Sequence, residues 1–81
     1  MTFLQRNELI NGLTARGFSP RGGNHEGWNY NHRDGFKVFF TVDGKYTMEY
    51  RLHRNPTQQV EGVLKQPADL LNLIDSLAAG I

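Results

Sequence analysis

Three histidines and seven cationic side chains crowd one stretch of this chain. His25, His32 and His53 lie with Arg16, Arg21, Arg33, Lys37, Lys45, Arg51 and Arg54 inside residues 16–54, against Glu26, Asp34, Asp43 and Glu49. An imidazole titrates near neutral pH and can relay a proton. A group of guanidinium and ammonium heads can hold phosphates. The same residues also suit a solvated sheet face, which is where charge of this density usually sits. Metal chemistry has less support: no two histidines have a close ligand spacing such as His-x3-His, and there is no cysteine. No metal and no cofactor are expected. Gly22-Gly23 precedes no helical pattern and no Lys-Ser/Thr follows it, so the pair does not form a P-loop.

The chain as a whole narrows the field. A net charge of +1 over 81 residues argues against a nucleic-acid binder driven by bulk charge. The length allows one domain, residues 1–81, with a thin core and a stability of a few kcal/mol. The missing cysteines remove disulfides and thiolate nucleophiles and fit a reducing compartment. No apolar run approaches the roughly 20 residues of a bilayer span, and the N-terminus has no signal-peptide core. The expectation is a cytoplasmic protein without a membrane partner.

The elements that would position these side chains follow from periodicity. Phe36, Val38 and Phe40 alternate with Lys37, Phe39 and Thr41; Tyr46, Met48, Tyr50 and Leu52 alternate with Lys45, Thr47, Glu49, Arg51 and His53. Period two on both sides of Val42-Asp43-Gly44 predicts an antiparallel hairpin with one wet face. A two-residue Asp43-Gly44 turn would mix the two faces. A three-residue loop with left-handed Gly44 sets Phe40 opposite Tyr46, Val38 opposite Met48, Phe36 opposite Tyr50 and Lys37 opposite Glu49, each pair agreeing with its face.

Residues 2–16 read as a helix, with Thr2 and Gln5 as a capping box, Phe3, Leu9, Ile10 and Leu13 near one face, and Gly17 with Phe18 as the stop. Gly12 is small enough to let this helix lie close to the sheet. Residues 19–25 have the composition of a loop, and 26–31 that of a short strand with Trp28 and Tyr30 on its core side. The next turn spans His32 to Gly35. Residues 57–64 fit either a strand or a helix, with Gly62 and nearby breakers favouring a short edge strand. Pro67 opens a second helix with the stripe Leu70, Leu73, Ile74 and Leu77, capped by Gly80. The sum is an α+β two-layer sandwich: an antiparallel sheet of three to four strands with the N- and C-terminal helices on one face, αβββ(β)α.

The opposite face would hold Asn29, Lys37, Phe39, Thr41, Lys45, Thr47, Glu49, Arg51 and His53. Phe39 is the odd member, a large apolar ring among polar groups. It is either shielded by the stems of Lys37 and Arg51 or an anchor for a partner or a base.

Gly17-Phe18, followed by Gly23-Asn24-His25 before a strand, resembles the start of HicA-type toxin ribonucleases. The resemblance covers about a quarter of the chain and is one of layout. It implies a double-stranded-RNA-binding-like helix–three-strand–helix fold and a catalytic role for His25 in RNA cleavage. Asn24 stands where that family has serine, and Val42-Asp43-Gly44 stands where it has Pro-x-His after the second strand.

Two functions are therefore carried forward. The first is a small non-enzymatic interaction module, an inhibitor or accessory protein, that binds a protein partner through the open face and the 19–25 loop. Its contact residues would be Phe39, Lys37, Arg51, His53, Lys45, Asn29 and Arg21. The second is an RNA-binding or RNA-cleaving protein, with His25 as the catalytic group and Arg21, Lys37, Lys45 and Arg51 on phosphates. An exposed edge strand at 26–31 or 57–64 would also allow a homodimer in place of a monomer.

Overall fold

A computed structural model describes residues 1–24, 26–32, 35–51 and 55–79. Its first helix, α1 (Phe3–Ala15), starts where the capping pair predicts. The Thr2 hydroxyl accepts from the Gln5 amide at 3.1 Å, and the Gln5 side chain accepts from the Thr2 amide at 2.9 Å. It stops at Gly17, whose φ of 88° only glycine adopts freely. The Gly17 amide donates to the Thr14 carbonyl and the Phe18 amide to the Leu13 carbonyl, both at 3.0 Å. This Schellman arrangement drives the Phe18 ring into the core.

Five antiparallel strands follow in simple meander order: β1 (Ser19–Gly23), β2 (Gly27–His32), β3 (Phe36–Thr41), β4 (Lys45–Tyr50) and β5 (Gln58–Val63). The sheet is thus wider than the three to four strands expected. Residues 19–23, which compose like a loop, form β1 by pairing with β2. An edge strand needs hydrogen bonds on one side only, so Pro20 and two glycines are tolerated there. The register slips between Pro20 and Gly23, leaving Arg21 and Gly22 opposite Asn29 in a bulge, with Gly22 at φ 104°. Residues 58–63 resolve as a strand along β4. The 27–32 strand is internal and not an edge.

The β3–β4 hairpin has the three-residue loop and the expected register. Lys37 pairs with Glu49, Val38 with Met48 and Phe40 with Tyr46. Gly44 sits at φ 91°, and Thr41 holds the loop by accepting from the Gly44 amide on its carbonyl and from the Lys45 amide on its hydroxyl, each at 3.1 Å. The Thr41 hydroxyl also donates to the Asp43 carboxylate, which holds that carboxyl below the ordinary aspartate value.

The second helix, α2 (Pro67–Ala78), begins at Pro67 with Asp69 in its first turn. Leu9 and Leu13 of α1 and Leu70, Leu71 and Ile74 of α2 share one core with Tyr30, Phe36, Val38, Phe40 and Met48. All the strand members occupy alternate positions on one side of the sheet, so both helices cover that side and the fold is α+β.

Two packing expectations change. Phe3 is 66% exposed and stays out of the core. Gly12 faces α2 and not the sheet: a Cβ there would lie 2.9 Å from Leu71 Cδ2. The absent side chain lets the two helices approach each other, and it explains why Leu71, outside the predicted stripe, is buried. The expected contributions of Leu52 and of Gly80 as a cap lie outside the described residues. Among the described residues no helix is long and apolar enough to cross a membrane.

Candidate binding face of the sheet

The odd positions of β3 and β4 and their neighbours on β2 turn away from both helices. There the register sets Asn29 beside Phe39, Phe39 beside Thr47, Asn31 beside Lys37, and Lys37 beside Glu49. These side chains surround an open depression of about 210 Å³. Phe39, half-buried, is part of its lining. Its ring reaches toward Gly27 on the adjacent strand: a Cβ at that position would lie 2.9 Å from Phe39 Cζ. The ring therefore lies over a glycine, which fills space that a side chain on β2 would occupy. Lys37 shares the lining of the depression with the ring. Lys37 and Glu49 supply opposite charges across the strands and Asn29, Asn31 and Thr47 supply donors and acceptors.

The other expected contact residues scatter around this centre. Lys45 lies on the same face toward β5, beside Thr47, Glu61 and Val63. Arg51 follows β4, and its Nε donates to the Asn55 carbonyl at 3.1 Å, so part of its capacity holds the chain between β4 and β5. Arg21 is exposed in the β1 bulge, at the sheet's far edge. His53 and His25 lie outside the described residues. The structure thus gathers Asn29, Lys37 and Phe39 into one site, extends it to Lys45, and leaves Arg21 at the periphery.

A second hollow, of about 250 Å³, opens on the helix side between Arg16, Phe18, His32, Phe36, Ile74 and Asp75. The sequence places His32 in a turn. The structure ends β2 on it, with its ring 5.2 Å from Phe18 and 6.4 Å from Phe36. The signal was present: Trp28, Tyr30 and His32 share one parity, so period two carries the imidazole to the core side. Above it Arg16 grips Asp75 through two bonds, Nε to Oδ1 at 2.7 Å and Nη2 to Oδ2 at 2.8 Å. That hydrogen-bonded pairing holds the Asp75 carboxyl below its ordinary value and raises the Arg16 guanidinium. With its carboxylate engaged and Phe18, Phe36 and Ile74 in its walls, the hollow reads as a helix–sheet junction. Among the described residues no three His, Asp or Glu side chains converge on a point that could hold a metal ion.

Compared with protein-family models, curated proteins and solved structures, the chain matches none. Its five strands also exceed the three that the HicA-type resemblance implies.

Proposed function

We infer that this chain is a non-enzymatic module that binds a protein partner through the open face of its sheet, centred on Phe39. One observation carries the reading: a half-buried aromatic ring lines a depression bordered by polar side chains, on a face that neither helix covers. A partner side chain seated there would meet the ring and be surrounded by hydrogen-bonding groups, the arrangement of an anchor inside a polar rim. The charges favour a protein over a phosphate chain. Lys37 faces Glu49 and Lys45 lies near Glu61, so the cations form no unbroken track. The absence of cysteine supports a cytoplasmic setting for this binding.

The test uses the whole chain as bait in host extract, wild type beside Phe39→Ala and Thr47→Arg, with protein and RNA both read by mass spectrometry. A protein held by the wild type and lost from both variants, whose circular dichroism is unchanged, is the expected result. Full retention by both variants would overturn the assignment of this face. RNA held in its place, and released by salt, would move the function to the nucleic-acid reading, with His25→Ala as the next variant.

A further inference from the structure

We propose that β5 is a dimerisation edge, pairing antiparallel with β5 of a second copy about a two-fold axis at Val60. The inference does not rest on the open-face reading. It starts from the hydrogen-bond phase of the strand. Leu64, just past β5, donates its amide to the Gly44 carbonyl at 2.8 Å. Gly44–Leu64 continues the register in which Lys45 meets Val63. Backbone groups of alternate residues point to opposite sides of an antiparallel strand. The amides and carbonyls of Gln59, Glu61 and Val63 therefore point away from β4, where among the described residues no strand pairs with them.

The two sheet edges differ in how they are protected. β1 carries Pro20 and a bulge, devices that blunt an edge. β5 (Gln-Gln-Val-Glu-Gly-Val) has neither a proline nor a lysine, and six consecutive residues hold unbroken register with β4.

Self-pairing is also selective. Two copies related by an axis normal to the sheet show the same face on the same side, so a residue must lie on the axis. With Val60 there, two valines meet on the helix side. On the open side Gln59 faces Glu61 of the second copy and the reverse, an amide donor against a carboxylate. Thr57 faces Val63, which is 67% exposed in the single chain. Moving the axis to Glu61 sets two carboxylates opposite each other, which is unfavourable. Moving it to Gln59 leaves Val63 without a partner. Each Gln59–Glu61 pair would exchange two N–H···O bonds.

Sedimentation and native mass spectrometry of the full chain, at concentrations up to about 1 mM, test this directly. The wild type should reach twice the 9.2 kDa monomer mass. Glu61→Pro removes an outward amide and leaves the β4 ladder intact, so it should weaken dimerisation at least about tenfold with an unchanged circular dichroism spectrum. Because the chain has no cysteine, single cysteines report the register. Val60→Cys should form a disulfide-linked dimer on mild oxidation, and Glu61→Cys should do so far more slowly. A wild type that stays monomeric, a Glu61→Pro variant that dimerises as well as the wild type, or faster cross-linking at Glu61→Cys would each overturn the proposal.

Discussion

At the scale of single residues, two glycines set what their neighbours can do. Gly27 leaves free the space that the Phe39 ring reaches into, so Phe39→Ala should remove the anchor and uncover Gly27 together. The ring is half-buried, so the stability cost should stay below about 2 kcal/mol, small enough to keep the fold for a binding assay. A urea titration checks this, and a loss comparable to that of a core phenylalanine would show that the ring is structural first. Gly17 is the opposite case. Its φ of 88° excludes a side chain comfortably, and a Cβ there would meet His32 Nε2 at 2.9 Å. Gly17→Ala should cost about 1–2 kcal/mol, seen as a lower urea midpoint with an unchanged slope. A midpoint equal to the wild type would mean that the Schellman turn is not what ends α1.

At the scale of elements, the two helices approach closely at Gly12 and Leu71. Gly12→Ala gains about 1 kcal/mol in helix propensity but forces a methyl into Leu71, an overpacking cost of about 1–3 kcal/mol. The net effect should be destabilising. Leu71→Ala alone opens a gap and costs about 2–5 kcal/mol. In the double variant the new methyl occupies part of that gap, so the loss should be about 1 kcal/mol smaller than the sum of the two. Additive losses would show that the helices accommodate the methyl by separating. The strands behave more locally. The β3–β4 register was legible because the loop length and the alternation agree at every pair, whereas β1 was not, since its residues carry loop composition and only the neighbouring strand makes them extended.

At the scale of the whole molecule, Arg16 at the end of α1 clasps Asp75 near the end of α2 and joins the C-terminal ends of the two helices. Asp75 has its folded pKa depressed below the ordinary 3.8, chiefly by the Arg16 hydrogen bond. Its contribution is therefore fully present above that ordinary value and is lost as pH falls through the depressed one. Thermal melts of wild type and Asp75→Asn should differ by a constant margin at higher pH and converge only below it. Both groups are partly exposed, so added salt should narrow the margin as well. A margin that persists to the lowest pH would show that the pair is not ionic in origin.

What the sequence determined by itself was everything that short-range physics can specify. The capping pair Thr2–Gln5, the stop at Gly17, the Gly44 loop and the two-residue alternation each depend on neighbours within a few positions. Together they were enough for the helices, the central hairpin and the distinction between a greasy and a wet sheet face. Only the tertiary structure decided that residues 19–23 form a strand, that Gly12 meets Leu71, that the Arg16 clasp closes on Asp75, and that Phe39 rests over Gly27. Each of those outcomes requires a partner brought alongside by folding, and backbone pairing or packing of that kind leaves no periodic trace in the segment that receives it.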